Sequence, residues 1–487
     1  MQPCDLAAVE ARRLIGARQL SPVELVDSCI MRIEAVDHAV NAMVARDFER
    51  ARAAAVTAEA AVMAGSALGA LHGLPIAVKD LEDTAGLRTT YGSQMFRDHV
   101  PRVDQRVVTS LRAAGGIVLG KTNTPEFGAG ANTINAVYGA TGNPFDPLKS
   151  AAGSSGGSAV ALATGMVPLA TGSDMGGSLR NPAAFCGVVG MRPSPGMVAS
   201  EKRLLGASAL SVLGPMARNV PDLALMLSAM IGYDDRDMLA FPRGALRVPS
   251  IDLATLRVAF TADFGFAPTS RAVRSCFAAK TARIARWFGR AETATPDCAG
   301  ADEAFAILRA VNFLAAFGAT FRANPERLGA NVRANVEEGL GYTAADVARA
   351  MVIQTRIYQA WRSFFIDHDV LIAPSVTITP RPWTELFPTQ IDGVATKSYY
   401  HWLGLAYAVT LVGHPSLSLP LGQDEEGLPF GVQIITARHA DAKALAVASA
   451  IEMMTAGDRA LCRPFPDIAA LSRAPRLSDT PGFRDVG

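Results

Sequence analysis

Two short stretches of this chain hold residues suited to nucleophilic chemistry. The first reads Gly153-Ser154-Ser155-Gly156-Gly157-Ser158. The second, beyond an apolar stretch, reads Gly172-Ser173-Asp174-Met175-Gly176-Gly177-Ser178-Leu179-Arg180. Glycine lets the backbone turn sharply or approach another group closely. A serine beside it presents a hydroxyl next to unobstructed N–H groups. That pairing suits attack on a carbonyl backed by an oxyanion hole. It is also what a phosphate-cradling loop looks like. A Walker loop needs a lysine after its second glycine, and a dinucleotide loop needs G-x-G-x-x-G; neither occurs in this region. Gly153-Ser154-Ser155-Gly156-Gly157 formally fits the G-x-S-x-G elbow, but that elbow follows a strand. Here Asn143-Pro144-Phe145-Asp146-Pro147 reads as loop. His414 and His439, which could serve as a base, sit in unremarkable contexts.

A lysine can replace histidine as base if burial keeps it neutral. The chain has only seven lysines among its 46 basic residues, so each position is informative. Lys79 ends the apolar run Pro75-Ile76-Ala77-Val78. Taken alone, its plainer reading is a strand-end lysine paired with Asp80 at the surface.

The elements that must position these residues alternate between helix and strand. Asp5 to about Ala67 reads as helical. Within it, Ser21 is an N-cap, Pro22 takes the first helical position, and Glu24 the third. Leu74–Asp80 and Gly116–Lys121 read as strands, with a helix from about Gln105 to Ala114 between them. Leu256–Phe260 is a strand followed by a helix through Phe288, and Asp369–Pro374 and Gly431–Thr436 are further strands. Such alternation predicts an α/β fold, a single large domain with a central mixed β-sheet flanked by helices. Within it, residues 1–67 form a helical N-terminal segment and 68–215 the Gly-rich, motif-bearing core. Residues 216–365 form a helical, variable region, 366–463 the return of the core, and 464–487 an irregular tail.

Bulk properties exclude several classes. With 46 basic against 45 acidic residues, nothing argues for nucleic acid or an anionic membrane as partner. Cys4, Cys29, Cys186, Cys276, Cys298 and Cys462 lie far apart, without C-x-x-C or zinc-ligand spacing. They read as free thiols in a reducing compartment. No signal peptide is visible at the N-terminus. The apolar run Leu403–Leu421 is interrupted by Gly404, Gly413, His414 and Pro415, which argues against a spanning helix. The expectation is a cytoplasmic protein.

Several blocks together resemble the amidase signature family. They are Leu74–Asp80, Gly120–Glu126, the Gly153–Ser158 turn, and Gly172–Arg180 with its continuation Asn181–Gly190. Asp369–Pro374, Gly413–Gly422 and Gly427–Gln433 match as well. The resemblance runs from about Leu6 to Arg463, with Lys79, Ser154 and Ser178 separated by 75 and 24 residues. It implies a Ser-Ser-Lys triad. Ser178 is the nucleophile, Ser154 the bridge, expected after a cis peptide bond, and Lys79 the base. It also implies an oxyanion hole of the backbone N–H groups of Met175, Gly176, Gly177 and Ser178. Ser155, Ser173, Asp174 and Arg180 are supporting residues. Ala152 stands where the family often has Gly, Met175 where Thr is common, and Asn181 where Ile is common.

The implied activity is hydrolysis of a small-molecule carboxylic amide through an acyl-enzyme, with no metal or organic cofactor and a homodimer as the family-based expectation. Carbamates, anilides and aryl esters need the same machinery. Specificity is expected from residues 201–338 and the loops near Phe127, a candidate substrate contact. Of the aromatic residues there (Trp287, Phe305, Phe313, Phe317 and Phe321), most are expected in the core. Two rival readings share these residues. One is the glutaminase component of a tRNA-dependent amidotransferase, although Leu411–Gly422 looks more like stand-alone amidases. The other is a binding protein that has lost catalysis, against which the intact Lys79, Ser154 and Ser178 argue.

Overall fold

The computed structural model describes residues 2–485. Apart from two short two-stranded ribbons, its strands are β1 (Met43–Arg46), β2 (Pro75–Lys79), β3 (Ile117–Thr122), β4 (Leu169–Asp174), β5 (Val189–Arg192) and β6 (Val212–Ala217). They continue with β7 (Arg257–Phe260), β8 (Arg290–Thr293), β9 (Val370–Pro374), β10 (Ser416–Gln423) and β11 (Pro429–Ile435). All eleven join one mixed sheet in the order β1-β3-β2-β4-β6-β5-β10-β11-β9-β7-β8. At the functional end, β2 runs parallel to both β3 and β4. Every residue of β2 and β3 is buried. A strand covered on both faces is expected to read as a continuous apolar run, as Pro75–Val78 does. The carboxyl ends of β2 and β4 therefore lie together, where open α/β sheets place their ligands.

Helices α1 (Ala8–Gly16), α2 (Pro22–Val40) and α3 (Phe48–Met63) open the chain. The cap read from Ser21 is in place. Its hydroxyl accepts from the Val23 N–H at 2.9 Å, and Glu24 accepts from the Ser21 N–H at 3.0 Å. The all-helical expectation for residues 5–67 is corrected by β1, which lies at the sheet edge against β3. Four residues are too short to announce a strand by periodicity. Next come α4 (Arg106–Ala113), α5 (Gly156–Ala163), α6 (Arg180–Cys186), α7 (Val220–Met230) and α8 (Arg271–Ile284). Helix α8 ends before Phe288, followed by a 3-10 turn at Ala285–Trp287 and then β8.

Helix α9 (Ala301–Ala323) packs on α10 (Ala330–Gly341), α11 (Ala344–Asp367) and α12 (Gly404–Val412), and α11 also packs on α12. Helices α9, α11 and α12 share a second apolar cluster that holds Phe305, Trp361 and Tyr407, whereas Val332 and Val336 of α10 belong to a separate one with Phe313. By length and composition α9 could cross a membrane, but here it lies against α10, α11 and α12. The run Leu403–Leu421 divides into α12 and β10. After α13 (Asp441–Thr455), the closing segment is more structured than an irregular tail. It forms α14 (Ile468–Arg473), and the Phe483 carbonyl accepts from the Ala140 N–H at 2.9 Å. All six cysteines are free.

Replacing the α2 cap, Ser21→Ala, is expected to cost about 1 kcal/mol in urea denaturation. A change below a few tenths would show that the cap does not stabilise the helix.

Candidate active site

Lys79 closes β2 with its side chain fully buried, at 0 % exposure. Its N–H is held by Thr171 Oγ1 at 2.8 Å, which fixes the strand end against β4. Its Nζ lies 2.7 Å from Ser154 Oγ, 2.9 Å from Ser155 Oγ and 2.9 Å from Ser173 Oγ. Burial pulls this amine down to about 8, against the opposing pull of the Glu82 and Asp174 carboxylates. The surface pairing with Asp80 does not occur. Asp80 is itself buried and accepts from the Thr90 N–H and hydroxyl.

Ser154 and Ser155 lead into α5, and the Gly153–Ser154 peptide bond is cis. Ala152, at φ +58°, occupies the left-handed region where the family often has Gly. The small residues around the turn are set by close approach. A Cβ on Gly153 would lie 2.9 Å from the Gly130 carbonyl oxygen, and Gly128 passes 3.3 Å from Ser154 Oγ by the same measure.

The second turn is braced by Asp174 at the end of β4. Its carboxylate accepts from the Gly177 N–H at 3.0 Å, the Leu179 N–H at 3.2 Å, and both Nε and Nη2 of Arg180 at 3.0 Å. Arg192 Nη1 donates to its carbonyl at 2.7 Å and lies 3.4 Å from its carboxylate. All three side chains are fully buried. Burial alone would raise the Asp174 carboxyl, but the two guanidiniums hold it well below the usual carboxylate range. Arg180 continues to Gln433 Oε1 at 3.1 Å, which ties the turn to β11.

One expectation changes here. The Gly177 N–H, expected among four oxyanion donors, is taken by Asp174. Among the described residues, the N–H groups of Met175, Gly176 and Ser178 donate to no protein acceptor. Gly177 has φ +112°, and a Cβ there would lie 2.6 Å from both the Ala406 Cβ and Asn181 Oδ1. The turn therefore needs glycine on both counts.

Exposure is graded across the site. Lys79 and Ser154 are buried, while Ser178, Gly176 and Met175 are half-buried. These last three line a cavity of about 120 Å³ with Ser154, Phe127, Arg309, Phe313, Tyr399 and Leu403. A second cavity of about 390 Å³ shares Phe127, Ser173, Met175 and Phe313 with it and extends towards Phe317 and Leu204. The sequence-singled Phe127 is therefore a lining residue, packed on Phe317 at 4.6 Å between centroids. Phe305 belongs to the core and stacks on Tyr407 at 4.4 Å. Glu82, Arg309, Tyr399 and Leu403 were not singled out by sequence. A lone arginine in the apolar run Ala304–Phe317 was the available signal for one of them.

The fold is that of an amide hydrolase scaffold, and the similarities to known proteins agree. The amidase family model matches residues 24–445. An acylamidase of Rhodococcus erythropolis is 32% identical over 460 residues, 92% of this chain and 95% of the relative. A glutamyl-tRNA(Gln) amidotransferase component from Azoarcus sp. (strain BH72) is 34% identical, covering 93% and 98%. The crystal structure of a bacterial aryl acylamidase superposes with a TM-score of 0.88 at 26% identity, covering 96% and 99%. The chain belongs to the amidase signature family and is an amide hydrolase.

Asp174→Asn would leave Arg180 and Arg192 buried without their counter-charge. A loss of about 3–5 kcal/mol in urea denaturation is expected. A loss below 1 kcal/mol would show that the guanidiniums are satisfied without it.

Proposed function

We propose that the protein hydrolyses a non-peptide carboxylic amide through an acyl-enzyme on Ser178. Ser178 Oγ attacks the carbonyl carbon while its proton passes to Ser154 and that of Ser154 to Lys79 Nζ. The carbonyl oxygen, becoming negative, is met by the N–H groups of Met175, Gly176 and Ser178. A donor of this kind contributes on the order of 3 kcal/mol to the transition state. Collapse breaks the C–N bond, and the proton returns from Lys79 through Ser154 to the leaving nitrogen. Water then cleaves the ester, releasing the acid and regenerating Ser178. Ser155 and Ser173 orient the amine, while Asp174 and Arg180 hold the turn.

The observation that carries this reading is the contact of the buried Lys79 amine with Ser154 Oγ at 2.7 Å, behind a half-buried Ser178. A protonated lysine has no lone pair with which to accept, so burial that lowers its pKa towards neutrality is what equips it as a base.

The aromatic lining from Phe127, Phe313 and Phe317, together with the acylamidase and aryl acylamidase relatives, favours an acylamide or anilide. Carbamates and aryl esters present the same carbonyl. The glutaminase reading also has relatives. Against it, the inner cavity lining has no carboxylate, among the described residues, to receive the α-ammonium of glutamine. The cysteines, all unpaired, support an intracellular location.

The test is product release from a panel of aliphatic amides, anilides, carbamates, aryl esters and glutamine. Amide or anilide turnover is expected to fall about ten-thousandfold in Ser178→Ala and about a thousandfold or more in Lys79→Ala, with thermal melting largely retained. Near-normal turnover in Lys79→Ala would remove the base assignment. Glutamine as the best substrate would favour the amidotransferase reading.

A further inference from the structure

Helix α9 brings one charge to the site. Arg309 is the only ionisable residue between Glu303 and Arg322, and it is 7 % exposed. Its Nη2 donates to the Tyr399 hydroxyl, which also accepts from Asn335 Nδ2 at 2.6 Å. The rings of Phe313, Tyr400 and Tyr399 surround the guanidinium carbon at 4.6, 4.9 and 5.0 Å. Nη1 has no hydrogen-bond partner among the described residues, and no ion pair forms there with Arg309. Glu338, the acid of this corner, accepts instead from the Tyr400 and Tyr342 hydroxyls.

Aromatic faces offset part of the cost of burying a cation. They do not supply the counter-charge that buried ions normally find. Arg309 lines the cavity that holds Ser154, Met175, Gly176 and Ser178, and among the described residues that lining contains no carboxylate. We infer that the substrate brings the counter-ion: Arg309 receives a carboxylate carried by the amide that Ser178 attacks. A neutral acceptor would satisfy Nη1 but leave the charge uncompensated. A carboxylate does both, and the planar guanidinium matches it. Phe127, Phe313 and Leu403 then enclose the carbon chain between carboxylate and amide. The inference rests on the acyl-transfer reading for the reacting end. It adds the chemical class of the substrate, a dicarboxylic acid monoamide or an N-acyl amino acid.

Matched substrate pairs test it. Succinamate against butyramide places the carboxylate on the acyl side. N-butyrylglycine against N-butyrylpropylamine places it on the leaving side. The wild-type enzyme is expected to prefer the charged member of one pair by tenfold or more in kcat/KM. Arg309→Met is expected to lower that preference about tenfold, to near equality, and Arg309→Lys to keep part of it. The pair that responds identifies the side of the carboxylate. Equal use of charged and neutral partners by the wild type, with their ratio unchanged in Arg309→Met, overturns the inference. Calorimetric titration with glutarate reads the anion site without chemistry. Glutarate binding that is lost in Arg309→Met supports the site even if no amide is hydrolysed, in which case the acyl-transfer reading alone fails. Absence of glutarate binding to the wild type at millimolar concentration counts against it.

Discussion

Removing the Lys79 amine from water is the constraint on which the rest of the site depends. An exposed lysine is protonated at neutral pH and cannot accept a proton. Here the side chain lies at the closed end of a strand buried on both faces, and burial brings it to about 8. The same burial would orphan the amine were it not met by three hydroxyls, those of Ser154, Ser155 and Ser173. Ser154 and Ser155 come from the turn before α5 and Ser173 from the end of β4, which the parallel pairing of β2 with β4 and the placement of α5 bring together.

The second requirement is a turn that holds Ser178 and its neighbouring N–H groups in place against the accessible cavity. Asp174 meets it by combining two opposite functions. It accepts from the backbone of the turn, and it pairs with two guanidiniums that anchor the turn to the sheet. The pattern is one of high stakes: a fully satisfied buried network rigidifies its surroundings, while a partly satisfied one is costly. In that network the Gly177 N–H acts as a structural donor, which leaves Met175, Gly176 and Ser178 facing the cavity.

The family was legible in sequence because the motifs that carry it, and the residues proposed here as the machinery, are local. Lys79, the Ser154 turn and the Ser178 turn each sit in contiguous blocks whose spacing is conspicuous, and the apolar run before Lys79 announced a buried strand. What was not legible depends on long-range packing. Strand β1 is too short to show a period, and its place is fixed by pairing with β3. The tail reads as irregular, yet Phe483 packs at Gly139, more than 300 positions away in sequence. Arg309 shows as an oddity on an apolar helix, but its meeting with Tyr399 spans 90 residues. The Gly177 N–H, counted from sequence as an oxyanion donor, is diverted by a carboxylate three residues earlier, which only the shape of the turn reveals.

The central claim is that a neutral, buried Lys79 activates Ser178 through Ser154. The most direct measurement is the rate at which a sulfonyl fluoride modifies Ser178 as a function of pH, read by intact-protein mass spectrometry in wild type and Lys79→Met. Because protonation of Lys79 removes the base, the wild-type rate is expected to climb as pH rises through about 8 and then level off. The variant is expected to be slow throughout. A wild-type rate that is flat from about pH 6 to 9, or a variant that reacts as fast as the wild type, would contradict it.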